Sequence, residues 1–474
     1  MPPLNALFSL VPINERAQQV VLSERNKHRV GEDPDGRLVL YIGHFVSRSG
    51  NNTTLATIGR DEKSDICVEN ARVAKQQCSF ELSSEAHFVM FFDRSHAMTS
   101  QVYGPVSHKF EQGRLRKVLV QPGFNDVIGF GGDNQDLIQF QIRWYQGREG
   151  IVQIARARRN VPIRQNPLQA ETMVDSDAEL TLPRITRVHG IGSGLTIRWY
   201  MLGHLGSGTY GDVFKVVNTD HGCLMAIKKM KQQGAPKERE LLRSRWVREV
   251  KILSEANHPH IVEYIGAQGW ERDTVEMFMA LKEGTLRSLV ESRPPISRLE
   301  LGHFVFHHML QAIDFLAMKG IVHRDIKPEN ILYTVRSGKC HFQLGDFGLS
   351  HPVAPLSSPQ GTRFFIAPEL FRRGALTHKA DVWSLFITML WTSGNAQFHS
   401  MCGGAAKGVE RTCEIVSECI LSEREFLGNI REMAEVNPQE RASAAQMLVK
   451  CYQGEGLTTP RDHIPTLREL TPLD

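Results

Sequence analysis

The stretch His323–Asn330, HRDIKPEN, is followed by the apolar pair Ile331-Leu332 and then by LGDFGLS at Leu344–Ser350, and no other feature restricts this chain as much. Two carboxylates, an amide and a lysine fall here at spacings that suit phosphoryl transfer. The carboxylate of Asp325 can accept the proton of an attacking hydroxyl, and the ammonium of Lys327 can neutralise charge on the group in transit. Asn330 and Asp346 supply hard oxygen ligands of the kind that Mg2+ prefers. The tripeptide HRD alone would carry little. The octapeptide followed in order by DFG is specific.

The chain has 474 residues, a length that suggests two to four domains. With 41% apolar and 23% charged residues its composition is that of an ordinary soluble globular protein. A net charge of +4 over this length gives no argument for direct nucleic-acid or membrane-surface binding. The apolar run Leu385–Trp391 is too short for a membrane span and is interrupted by Thr388. The N-terminus lacks a basic n-region, and Pro12 breaks its apolar patch, so it does not read as a secretory signal. The eight cysteines show no C-x-x-C pair and no zinc-like spacing, and read as free thiols in a reducing compartment. Nucleus or cytoplasm is the expected location.

The octapeptide and DFG resemble the catalytic loop and magnesium-binding segment of eukaryotic protein kinases. Upstream, LGHLGSGTYGDVFKV (Leu202–Val216) carries G-x-G-x-x-G at Gly206, Gly208 and Gly211, followed by Val213. A dinucleotide fold would use the same glycines; the MAIK string at Met225–Lys228 decides between them, because that motif has no such lysine. The resemblance implies an ATP site formed by Leu205, Gly206, Ser207, Gly208, Thr209, Tyr210, Gly211, Val213, Ala226, Lys228, Glu249, Met279 and Leu281. Lys229 is the neighbouring alternative, but strand alternation sends it to the other face. A helical pattern over about 236–256 puts Glu249 where it would pair with Lys228; the bland reading of one glutamate there is a solvated face. By the same resemblance, Phe278 or Met279 would guard the adenine pocket.

The segment from Asp346 to Glu369 ends in APE. Gly361-Thr362 and Lys327 resemble the family's Ser/Thr-specific members, which implies Ser/Thr rather than Tyr specificity. Arg324 is placed to bind a phosphate on Ser357, Ser358 or Thr362, and the family would clamp Glu369 to Arg441. Departures from the family pattern gather between 386 and 425, where Phe386 and Asn395-Ala396-Gln397-Phe398 replace the usual residues. They bear on substrate docking, not on the chemistry.

Residues 37–147 read as short β runs with turn residues between them, a sandwich or barrel. TIGRDEKSDICVENARVAKQQCSF (Thr57–Phe80) resembles a forkhead-associated (FHA) domain, a sandwich whose loops bind phosphothreonine. Gly59, Arg60, Asp65 and Ile66 match that family. Its S-x-x-H string is replaced by Ala74-Lys75-Gln76-Gln77, and its Asn-Gly-Thr loop by Ala97-Met98-Thr99. Arg60 and Lys75 remain as candidates to hold a phosphate; the plain alternative is an ordinary surface arginine.

The expected organisation is an N-terminal segment (1–36), an all-β FHA-like sandwich (37–147), a linker (148–197), an α+β bilobal kinase domain (198–453) and a C-terminal tail (454–474). In the linker a basic stretch carrying Arg156, Arg158, Arg159 and Arg164 precedes an acidic one, the pattern of a solvated connector, with a nuclear-import or docking segment as the alternative. The domain order resembles that of checkpoint-type kinases. It implies an ATP- and Mg2+-dependent Ser/Thr kinase acting on protein substrates, with phosphothreonine proteins as further partners. The alternatives are a pseudokinase scaffold and a phosphopeptide-reading adaptor.

Overall fold

The structure, a computed structural model, describes residues 2–3, 5–84, 86–132, 137–159, 196–208, 211–231, 234–292, 296–352, 354–355, 363–371, 374–402, 409–422 and 426–468. Within these the chain forms two compact units. One holds the residues up to 159 with 196–205 and 214–225; the other holds 206–213 and 226–468.

Two sheets build the first unit. Six strands run in the order Val30–Glu32, Leu38–Ile42, Phe8–Pro12, Ile138–Trp144, Val127–Phe130 and Gln101–Tyr103. Five run in the order Ile66–Cys67, Thr54–Gly59, Cys78–Leu82, Val89–Asp93 and Lys117–Leu119. Pairing is antiparallel except between Thr54–Gly59 and Ile66–Cys67. Alternate residues, among them Phe8, Leu10, Leu40, Ile42, Phe80, Phe91, Phe130 and Phe140, fill one shared core. Each such side chain contributes about 1.5–3 kcal/mol on full burial. The core of this β-rich unit therefore draws on both sheets.

Three boundaries read from the sequence move. Residues 1–36 are not a separate segment. Phe8–Pro12 lies in mid-sheet between Leu38–Ile42 and Ile138–Trp144, and the helix Glu15–Leu22 adds Ala17, Val20 and Val21 to the core. Asn14 caps that helix by accepting from the Ala17 N–H at 3.0 Å.

The linker also starts later than residue 148, because Arg148–Arg159 is a helix with Ile151 and Ala155 in the core. Its third inward residue is Arg158, which donates to the carbonyls of Thr54, Gly43 and Phe45 at 2.8, 3.1 and 2.8 Å. An arginine on the buried face hid the helical period. Arg164 and the acidic stretch lie outside the described residues.

The start of the kinase-like region, finally, is not an edge of packing. Tyr200, Leu202, Val217 and Leu224 share a small core with Phe88, Met90, Leu119 and Phe124. Arg198 and Arg114 both bond Asp220, and the Leu119 N–H donates to Thr219 O at 2.8 Å.

In the second unit, which takes the strand Leu224–Lys231 from Ala226 on, that strand, Thr274–Ala280 and Tyr264–Gln268 are neighbours in that order, accompanied by the helix Pro236–Glu255. The rest is mainly helical, centred on Arg298–Met318 and Lys379–Ser393. The latter helix is buried on all sides from Ala380 to Thr392, and its polar residues bond back along the helix, Thr388 Oγ1 reaching Ser384 O at 2.8 Å. Between 386 and 425, where departures from the family pattern gather, lie the helices Ala396–Cys402 and Val409–Ser422. Residues of the expected C-terminal tail fold back: the N–H groups of Thr458 and Thr459 donate to Asp314 at 2.7 and 2.9 Å. No helix among the described residues is long and apolar enough to cross a membrane.

Candidate active site

Lys228 sits on the strand Leu224–Lys231, whose alternation turns it inward while Lys229 lies on the opposite side, 4.0 Å from Glu276. The inner face of Pro236–Glu255 buries Trp246, Glu249, Ile252 and Leu253, and so carries Glu249 inward. Lys228 Nζ donates to Glu249 Oε1 at 2.7 Å and to Asp346 Oδ1 at 2.8 Å. Burial alone would lower the Lys228 pKa, but Glu249 and Asp346 outweigh it and hold the ammonium raised. Burial pushes the Glu249 carboxyl upward, and Lys228 opposes that push. For Asp346 the loss of water is more than offset by Lys228, so its carboxyl stays below the usual range.

The hairpin formed by Ile331–Arg336 and Lys339–Leu344 pairs Ile331 with Leu344, so Asn330 and the Gly345-Asp346 pair leave it side by side. Gly345 N–H donates to Asn330 O at 2.8 Å. Asn330 Nδ2 donates to both Asp325 O (2.8 Å) and Asp325 Oδ2 (2.9 Å), and Lys327 Nζ donates to the same Oδ2 at 2.7 Å. Asp325, Lys327 and Asn330 are thus one hydrogen-bonded group. Two non-glycine residues take left-handed backbone here, Arg324 at φ 73° and Asp346 at φ 57°. Such conformations persist where the surroundings over-determine them. Phe347, behind Asp346, is buried and meets the His323 ring edge-on at 4.7 Å.

The loop's support was not read from the sequence. Asp381, fully buried, accepts the N–H groups of His323 at 2.7 Å and Arg324 at 2.8 Å; burial pushes its carboxyl up to about 7 against those two donors. His323 Nε2 donates to Gly345 O at 3.1 Å, and its Nδ1 accepts from Asp325 N–H at 3.3 Å. The signal for Asp381 was the DVWSL string, but its partners are backbone groups 57 and 58 residues away. Asp381→Ala is expected to strand both N–H groups at about 1–3 kcal/mol each. Asp381→Asn should lose less, as read by thermal melting.

Gly211 has φ +147°, and a Cβ there would lie 2.4 Å from Lys229 O, so this position requires glycine. Ala226 is buried, Val213, Met279 and Leu281 are half-buried, and Ser207 is exposed. Leu205 is exposed. Phe278 is wholly buried, whereas Met279 stands opposite Tyr264 in the strand pair. Thr209, Tyr210, Ser357, Ser358 and Thr362 lie outside the described residues, as does any contact of Arg324 with them. Arg441 Nη1 and Nη2 donate to the two carboxylate oxygens of Glu369 at 2.7 and 2.9 Å, with the guanidinium 5.2 Å from the Trp383 ring.

In the first unit, Arg60 N–H donates to Ala74 O at 3.0 Å and Asp61 N–H to Lys75 O at 3.1 Å, so the two loops run together. The Arg60 and Lys75 side chains are exposed, and neither has a hydrogen-bond or ion-pair partner among the described residues. A Cβ on Gly59 would lie 2.0 Å from Lys75 O. Gln77 Nε2 donates to Thr99 Oγ1 and Ser100 Oγ, both at 3.0 Å. Met98 keeps a left-handed backbone at φ 52°.

The model of the family described as "Protein kinase domain" matches residues 199–453. Among known proteins, the chain is 33% identical over 193 residues to cyclin-dependent kinase F-4 of Oryza sativa, a match covering 40% of each chain. It is 30% identical over 266 residues to serine/threonine-protein kinase 10 of Rattus norvegicus, covering 53% of this chain and 26% of the relative. It is 28% identical over 311 residues to NUAK family SNF1-like kinase 2 of Rattus norvegicus, covering 63% of this chain and 47% of the relative. The chain therefore spans less than half the length of these relatives.

Proposed function

The chain belongs to the protein kinase family, and we propose that it transfers the γ-phosphate of Mg-ATP to serine or threonine hydroxyls of proteins. The observation that carries this reading is Lys228 Nζ within 2.8 Å of both Glu249 and Asp346, the fixed cation that a nucleotide's phosphates require. The serine/threonine assignment is supported by Lys327 in the catalytic loop and by the name of the relative serine/threonine-protein kinase 10.

In this reading the glycines at 206, 208 and 211 let backbone approach the phosphates, and Lys228 holds them once Asp346 releases it. Asp325, fixed by Asn330 and Lys327, orients the acceptor hydroxyl and takes its proton. Lys327 lowers the cost of charge on the transferring group. The donor set fits magnesium: Asn330 uses its amide N–H groups on Asp325, and Asp346 uses Oδ1 on Lys228. Asn330 Oδ1 and Asp346 Oδ2 remain as hard oxygen ligands. When bound, the ion neutralises phosphate charge and orients the γ-phosphate.

The N-terminal unit is proposed to be an FHA-like module that docks phosphothreonine proteins through Arg60 and Lys75, in a signalling kinase of the nucleus or cytosol. The exposed pair on adjoining loops and the glycine-like backbone of Met98 support it. A fluorescently labelled phosphothreonine peptide should bind the full chain, and Arg60→Ala should weaken binding by about 10-fold or more, as loss of a charge-assisted contact does. Equal affinity for the unphosphorylated peptide would rule the docking role out.

A further inference from the structure

Away from the cleft residues, three histidines from separate elements meet. His260 lies in the turn after the helix Pro236–Glu255, His308 on the helix Arg298–Met318, and His341 on the strand Lys339–Leu344. One ring nitrogen of each lies within 4.8 Å of those of the other two. The ring centroids of His260 and His308 are 4.0 Å apart, those of His260 and His341 4.7 Å, and those of His308 and His341 5.4 Å. Among the described residues no hydrogen bond joins one of these rings to another.

For His260 and His341 the outer contacts fix which nitrogen is free. His260 Nδ1 is 2.9 Å from Phe342 O and can only donate there, which leaves the Nε2 lone pair. His341 Nε2 is 2.9 Å from Pro259 O and likewise donates, leaving Nδ1. Metal-bound imidazoles characteristically give their second N–H to a backbone carbonyl in this way, which sets both tautomer and ring orientation. His308 Nδ1 accepts from Phe342 N–H at 3.3 Å, a long contact that a small ring rotation releases.

We propose that His260, His308 and His341 form a three-histidine site for a divalent transition-metal ion, with Zn2+ as its occupant. Imidazole suits zinc, and three protein ligands leave one tetrahedral position for solvent, which reaches the half-buried His308 and His341. Zinc-bound nitrogens about 2.0–2.1 Å from the metal sit roughly 3.4 Å apart, so the triad closes by at most about 1.4 Å on loading. That distance is within the reach of side-chain rotation. The ion would join the turn at His260 to the hairpin ahead of Asp346, where Leu344 N–H already donates to His260 O and Val262 N–H to Leu344 O, each at 2.9 Å. Its effect is a brace under the segment that presents Asp346.

The test uses the full chain, Zn2+ titrated alone against a competing chelator, and Co2+ as a spectroscopic substitute. Wild type should bind one Zn2+ that His308→Gln and His341→Gln each bind more than about 10-fold more weakly. Its Co2+ form should show the visible bands of four-coordinate nitrogen ligation, absent from both variants. Metal-free melting temperatures of the variants, measured alongside, show that each is folded. Zinc binding equal in wild type and variants, or no four-coordinate Co2+ spectrum in wild type, would overturn the site.

Discussion

Asp325→Asn is expected to lower phosphate transfer from Mg-ATP by about 10²–10⁴-fold, the usual cost of removing a positioned general base, with the melting temperature unchanged. The asparagine keeps the shape of the side chain, and its Oδ1 can still accept from Asn330 and Lys327. What it loses is the negative charge that orients a hydroxyl and receives its proton. Nucleotide binding should persist, because Lys228, Glu249 and Asp346 form a separate hydrogen-bonded group. A fall in ATP affinity as large as the fall in rate would place Asp325 in binding rather than in the chemical step.

Arg441→Met should have the largest effect on stability, about 3–5 kcal/mol, because it strands the carboxylate of Glu369 in a site where both are nearly inaccessible. Arg441 also donates to Glu435 O and Lys379 O at 2.8 Å each, so three segments lose a shared anchor. The double variant Glu369→Leu with Arg441→Met should recover part of the loss, since no buried charge is then left unpaired. Denaturant unfolding of the two variants beside wild type decides it. A loss below about 1 kcal/mol in the single variant would mean that the pair behaves like an exposed one.

The hydrogen-bonded group around Asp325 was legible because its residues are compressed into two short strings joined by one hairpin. Once Ile331 pairs with Leu344, the spacing in sequence becomes proximity in space. Lys228 was legible through strand alternation and Glu249 through its place on a helix after it. Asp381 was not, because what it holds is backbone, and backbone N–H groups leave no trace in a sequence. The N-terminal boundary failed for a different reason. Phe8–Pro12 is a five-residue strand ending in proline, too short to show a period, yet its partners on both sides place it in mid-sheet. Arg158 hid a helix by putting a charged residue on the inward face, where three carbonyls satisfy it. The histidine triad was invisible for lack of local spacing, its members arriving from a turn, a helix and a strand.

The most direct measurement is transfer of radiolabelled γ-phosphate from Mg-ATP by the wild-type chain to a generic basic protein and to itself, followed by phosphoamino-acid analysis. The account predicts labelled phosphoserine and phosphothreonine, dependent on magnesium and absent with Asp325→Asn. A chain that binds Mg-ATP yet labels neither itself nor any added protein would contradict it, and would leave a scaffold in which the Lys228–Glu249–Asp346 contacts hold a nucleotide without chemistry.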